Sequence, residues 1–241
     1  MKIEGRNPIT EALDSDIKIS RLYVSKTAHD LQPLIDKAKS KKIRIDFVDR
    51  AFLDKTSESK RHQGIIAISE EYGYSTIEDI QSLAKAKGEK LFVLILDSIE
   101  DPHNLGSIIR VAECAGAHGI IIPSRRSASV NATVLRTSAG AANHVKIAMV
   151  GNINDAIRKL KDDFVNVYCA DMQGTTLYDC HFDEDVAIVI GNEGEGVKSL
   201  TAKLCDHVVS IPQFGKVNSL NASVACGIIC YEVIRQRGKR V

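Results

Sequence analysis

The sequence predicts an α/β fold: a parallel sheet with helices on both faces, preceded by a smaller α/β unit. Three observations carry this. From Leu91 onward, near-continuous Val/Ile runs alternate with helical segments, the pattern of strands buried on both faces. Residues 1–72 alternate shorter helices and strands of their own, enough for a small domain. Between the two, residues 73–90 are polar and weakly periodic, which suggests a linker.

In the first unit, Asn7 to Leu13 reads as a short helix and Ser20 to Ser25 (SRLYVS) as a strand. A lysine-rich amphipathic helix covers Leu31 to Lys39, followed by the strand Ile43 to Val48 (IRIDFV). A short helix near Ala51 to Thr56 leads to the strand Gly64 to Ser69 (GIIAIS). The linker holds one helix-like piece, Ile77 to Ala86. Beyond it, LFVLILDSI is a fully apolar strand, and LGSIIRVAECAG is a helix closed by Gly116. GIIIP, VKIAMV, VNVYCA, AIVIG and HVVSIP are further strands, separated by helical segments such as Val130 to Ala139 and Asn154 to Lys161. The last helix runs from about Asn221 to Arg237.

Composition bounds the function. Among 241 residues, 26% are charged and 44% hydrophobic, and the net charge is +1, so nucleic-acid binding would need local basic patches. No apolar run approaches a membrane span, and Met-Lys-Ile-Glu-Gly-Arg lacks the core of a signal peptide, so a cytoplasmic location is expected. The six cysteines form no C-x-x-C pair and read as reduced thiols packed as small hydrophobes. No metal cluster is expected.

In open α/β sheets, ligands sit outside the carboxyl ends of strands. Three strand ends here are unusually polar. The first, Asp97 to Gly106, leads to Arg110; Asn104 stands at an expected helix N-cap, and Arg110 interrupts an apolar helical run. The second, Gly191-Asn192-Glu193-Gly194-Glu195-Gly196, has the layout of a phosphate turn, but its two carboxylates would repel a phosphate. The third runs from Ile211 to Ala225 and places Ser219 and Asn221 where the last helix starts. Its amides and hydroxyl exceed what one cap requires.

The combination DPHNLGSIIR, GNEGEGV and IPQFGKVNSLNASVA, with RTSAGA between the first two, resembles the SpoU/TrmH family of S-adenosylmethionine-dependent RNA ribose 2′-O-methyltransferases. The resemblance spans 91–241; one departure is Ala222, where the family commonly has valine. The first unit, with GRNPITEAL and RHQGIIA, is similar to the ribosomal-protein-L30e-like RNA-binding domain of the subgroup that modifies a guanosine of 23S rRNA. The resemblance implies a trefoil knot around the cofactor, which periodicity does not reveal, and a homodimer with the active site near the subunit interface. It implies cofactor contacts at Gly191, Ile211 and Leu220, with Ser138 and Gly140 of the shared RTSAGA segment as further candidates. It also implies a catalytic set of Asn104, Arg110, Glu193, Ser219 and Asn221.

Methyl transfer to a ribose hydroxyl needs alignment of two reactants and a route for one proton, and no metal. RNA contact needs basic surface: Arg125 and Arg126, the Lys60-Arg61-His62 run with Arg61 foremost, and Arg235, Arg237, Lys239 and Arg240. The expected partner is 23S rRNA; a tRNA substrate, or an RNA-binding assembly factor without catalysis, are the alternatives.

Overall fold

The structure is a computed structural model that describes residues 2–14, 18–58, 60–70, 72–192, 194–216 and 219–238. Two compact units emerge: Met1–Gly73 with Val130–Arg136, and Tyr74–Ser129 with Thr137–Val241.

The first unit contains β1 (Lys2–Glu4), α1 (Arg6–Asp14), β2 (Ile19–Ser25), α2 (Gln32–Ser40), β3 (Arg44–Val48), α3 (Arg50–Thr56) and β4 (Ile65–Ser69). Its strands order β1-β4-β2-β3, with β2 parallel to β3 and antiparallel to β4. The strand β1 was not evident in the sequence. Three residues carry too little pattern, and β1 exists through antiparallel pairing with Ile66, Ala67 and Ile68 of β4. Helices α1 and α2 lay Ile9, Leu13, Leu34 and Ile35 onto the same buried cluster as Leu22, Val24 and Ile65 of the sheet. Ala132 joins this cluster and Arg136 pairs with Glu11 at 2.8 Å, which is why Val130–Arg136 belongs here and not with the 91–241 segment as expected.

In the second unit α4 (Ile77–Lys87) precedes β5 (Phe92–Asp97), α5 (Pro102–Cys114), β6 (Gly119–Pro123), α6 (Ala132–Thr137, mostly within the first unit), β7 (Lys146–Val150) and α7 (Ile153–Asp162). Then come β8 (Asn166–Thr176), β9 (Val186–Gly191), α8 (Ser199–Leu204), β10 (His207–Ser210) and α9 (Ala222–Gln236). The sheet is 6-stranded, all parallel, ordered β10-β8-β9-β5-β6-β7. Successive strand residues point to opposite faces. Val93 and Ile95 enter one core with Ile80 of α4 and Ile157 and Leu160 of α7. Leu94 and Leu96 are equally buried, on the face that α5 and α9 cover.

The stretch 73–90 is not a linker. Thr76 and Asp79 form a reciprocal capping box, Gly88 closes the helix in the left-handed region, and Ile77, Ile80 and Ala84 bury against the sheet. Among the described residues, no helix is long and apolar enough to cross a membrane.

Candidate active site

Three loops leave the carboxyl edge of the second unit's sheet. Register places Asp97, the last residue of β5, beside Gly191, the last of β9. The carboxylate of Asp97 is buried and ties the two loops together. Its Oδ2 accepts the backbone N–H of Lys198 at 3.0 Å, and its Oδ1 accepts Lys198 Nζ at 3.2 Å and Ser98 Oγ at 2.9 Å. A lone acid ending an apolar strand was the available signal for this residue, and sequence reasoning passed over it.

The glycine loop folds back on its own strand. A Cβ on Gly191 would lie 2.1 Å from the carbonyl carbon of Gly196, so only glycine fits. Asn192 Oδ1 accepts the backbone N–H groups of Gly194 at 3.0 Å and Glu195 at 2.7 Å, and Asn192 O accepts that of Gly196 at 3.0 Å. These are the donors a phosphate would have used. They are already engaged, so the loop is not an anion cradle. Glu193 lies outside the described residues.

Beside the loop is a pocket of about 300 Å³. Ile190, Val209, Ile211, Leu220 and Ile229 give it apolar walls; Asp171, Asn192, Glu195, Gln213 and Ser219 give it polar ones. Among the described residues no lysine, arginine or histidine lines it. Of the cofactor candidates, Gly191, Ile211 and Leu220 line this pocket, as does Ser219 of the catalytic candidates. Ser138 and Gly140 do not. They sit in the turn after α6, where Ser138 O and Gly140 O accept Ala141 N–H and Asn143 N–H, and that turn packs on α5.

Asn104 is not a helix cap. The helix begins at Pro102, capped by Asp101, whose side chain accepts His103 N–H at 3.0 Å; Asp-Pro at a helix start was the missed signal. Asn104 instead projects from the first turn of α5 and meets Asn221, its Oδ1 accepting Asn221 Nδ2 at 2.9 Å. Asn221 caps α9, its Oδ1 accepting Ser223 N–H at 3.0 Å and Val224 N–H at 3.3 Å. Capping fixes the amide: the oxygen must face the helix, so the nitrogen must face Asn104. Packing of α9 on α5 brings the pair together; a Cβ on Gly227 of α9 would meet Val111 of α5 at 3.9 Å, an ordinary contact.

Arg110 interrupts the apolar run Ile108, Ile109, Val111. It is exposed on α5, and six residues of helix separate it from Asn104, a rise of about 9 Å. Arg125 and Arg126 are exposed on the loop after β6, and Arg61 is exposed before β4. Two other basic candidates are structural. His62 is buried, with Nε2 2.9 Å from Asp54 Oδ1. Arg237 donates to the backbone carbonyls of Lys90, Leu91, Phe182 and Glu184, and burial pulls its guanidinium below the usual range. Arg235 is held by Glu232, while Lys239 and Arg240 lie outside the described residues.

The SpoU rRNA Methylase family model matches residues 91–231, and the model for RNA 2′-O ribose methyltransferase substrate binding matches residues 2–75. A protein of Bacillus subtilis (strain 168), named for the TrmH family of tRNA/rRNA methyltransferases, is 39% identical over 97% of this chain and 94% of its own length. The SpoU methyltransferase AviRb from Streptomyces viridochromogenes, solved in complex with AdoMet, superposes with a TM-score of 0.69 over 100% of this chain and 91% of that one, at 23% identity. The AdoMet-bound rRNA methyltransferase of Sinorhizobium meliloti gives a TM-score of 0.63 at 26% identity, over 97% and 86% of the two chains. Motifs, pocket and fold agree with these matches: the chain belongs to the SpoU rRNA methylase family.

Proposed function

We propose that this chain transfers the methyl group of S-adenosylmethionine to a ribose 2′-hydroxyl of RNA, with a guanosine of 23S rRNA as substrate. The observation that carries this is a pocket with no cationic side chain on its wall among the described residues, next to the Asn104–Asn221 pair, with Asn221 standing between the lining residues Leu220 and Ala222. S-adenosylmethionine fits the donor set. It has no phosphate, so the self-satisfied glycine loop suits it, and its positive sulfonium is compatible with Asp171 and Glu195. When bound it supplies an electrophilic methyl group.

Gly191, Ile211 and Leu220 hold the cofactor, largely through backbone groups, with Ser138 and Gly140 of the RTSAGA segment as further cofactor-binding candidates. The 2′-hydroxyl is a poor nucleophile and must be aligned and polarised. Arg110 grips the phosphate beside the target ribose and polarises that hydroxyl; a guanidinium keeps its proton, so solvent or the phosphate accepts the hydroxyl's proton. Asn104 and Asn221 orient the ribose, Ser219 borders the cofactor, and Glu193 orients the arginine. Arg125, Arg126 and Arg61 contact RNA phosphates.

Arg110 stands two turns from the asparagine pair, which favours a site completed by a second copy in a homodimer. The exposed apolar side chains Val224 and Tyr231 on α9 support such an interface. A knotted cofactor site and a cytoplasmic location belong to the same proposal.

Transfer of radiolabelled methyl from S-adenosylmethionine to separate rRNA and tRNA pools, followed by mapping of the ribose, tests it. Label in 23S rRNA is the expected result, and label confined to tRNA moves the substrate. Cofactor binding without incorporation into any RNA leaves an assembly factor.

A further inference from the structure

A second cavity, of about 440 Å³, lies wholly within the first unit. Its walls carry Arg6, Arg50 and His29, the hydroxyl of Thr27 and the amide of Gln63, and no carboxylate lines it among the described residues. Two motifs far apart in sequence meet there. Arg6 N–H, where α1 opens, donates to Gln63 Oε1 at 2.9 Å across 57 residues. The guanidinium of Arg6 donates to His29 O at 2.8 Å.

The turn that presents Gln63 is built for its position. Gln63 and Gly64 both have positive φ, +50° and +84°. A Cβ on Gly64 would come within 2.7 Å of Ala28 Cβ, so the turn requires glycine. Gly64 N–H donates to Nδ1 of buried His62 at 3.0 Å. Nδ1 must therefore accept, which puts the ring proton on Nε2, facing Asp54 Oδ1 at 2.9 Å. His62 thus braces the wall from behind.

The charge is unusual for the unit. Arg21 and Arg44 pair with Asp46, and Arg136 pairs with Glu11. Arg6 and Arg50 pair with no carboxylate among the described residues, and both face one cavity. Two guanidinium groups with hydroxyl and amide donors suit a phosphate, which they bind by paired N–H donors. The volume falls within the span of small-ligand pockets, about 300–1,000 Å³, and exceeds what a phosphate alone would fill.

We propose that this cavity takes one phosphodiester of the substrate RNA, together with the adjoining unpaired nucleotide, between Arg6 and Arg50. This rests on the proposal that the chain acts on RNA. Arg50 is exposed at the start of α3, so its replacement leaves the fold intact.

The test uses the full chain and unmodified 23S rRNA transcript, in filter binding across a salt series and in methyl transfer. Arg50→Ala is expected to weaken rRNA binding roughly 10-fold and to reduce the salt slope by about one, the signature of one lost phosphate contact. KM for rRNA rises by a similar factor, while kcat at saturating rRNA and S-adenosylmethionine affinity by calorimetry stay at parental values. Arg50→Lys restores the salt slope but only part of the affinity, since a lysine keeps the charge and loses the paired donors, and Arg6→Ala in the Arg50→Ala background weakens binding further. Parental affinity and salt slope in both Arg50→Ala and the double variant overturn the site while leaving RNA methylation standing. A parent chain that neither binds nor methylates RNA overturns both proposals.

Discussion

Among the described residues, the pocket of the second unit has two carboxylates, Asp171 and Glu195, on its wall and no basic side chain, whereas the cavity of the first unit has two arginines and a histidine and no carboxylate. A net charge of +1 conceals this segregation. Global charge informs solubility and long-range steering, but a site is made by the few groups that line it. The two cavities also treat backbone donors differently. In the second unit Asn192 engages the loop's N–H groups and removes them from ligand binding, while in the first a buried histidine engages Gly64 N–H and leaves charged side chains to meet the ligand.

The largest expected effect breaks the first member of this comparison. Gly191→Ala drives a methyl into the backbone of Gly196, so the loop must open or the strand must shift. Overpacking of this kind costs about 1–3 kcal/mol. S-adenosylmethionine affinity, measured by calorimetry, is expected to fall at least ~10-fold, with the melting temperature lowered, while rRNA filter binding through the first unit persists. Loss of RNA binding together with cofactor binding would show that the two cavities do not act separately.

A finer cut separates structure from chemistry at the asparagine pair. Asn221→Ala removes a cap worth about 1 kcal/mol and the bond to Asn104. Asn221→Asp keeps an acceptor for the cap but cannot donate to Asn104, and Asn104→Ala leaves the cap untouched. Methyl transfer is expected to fall by roughly 10-fold or more in all three, whereas thermal melting should drop appreciably only in Asn221→Ala. Full turnover in Asn104→Ala removes the pair from the chemistry.

The smallest effect is a control outside both cavities. Hydrogen bonds from Arg235, and then Gln236, hold the Glu232 carboxyl below the usual carboxylate range. A depressed folded pKa contributes stability that is present above the unfolded value, near 4.5, and is lost as pH falls through the folded one. Denaturant midpoints of Glu232→Gln should therefore approach those of the parent as pH drops below that range, and an undiminished gap in acid would refute the linkage.

Much of the fold was legible, because burial on both faces forces Val/Ile runs such as those of β5 and β9. The helix α4 was legible too, as the helix-like piece Ile77 to Ala86: Thr76 and Asp79 spell a capping box, and Ile77, Ile80 and Ala84 share one face. It was assigned to a linker because lysine and glutamate fill its outer face and mimic a polar connection. The contact between Asn104 and Asn221 spans 117 residues, and no local period encodes it. Resemblance assigned both to one centre, and only packing of α5 on α9 shows how they touch. The placement of Val130–Arg136 was hidden for a similar reason, since nothing local in Ala132 or Arg136 says which core or carboxylate it meets.

Arg237 bears on the order of events at synthesis. Its guanidinium joins the carbonyls of Lys90 and Leu91, just before β5, to those of Phe182 and Glu184, just before β9. The strands β5 and β9 are neighbours in the middle of the sheet although about ninety residues lie between them, so β5 leaves the ribosome long before its partner. The arginine that locks their entry points emerges later still. Until β9 emerges, a nascent chain can hold β5 against β6, but its central seam stays open, with apolar strand edges exposed to other chains. The seam can pair as soon as β9 is made, and Arg237 adds its tie across the two entry points last.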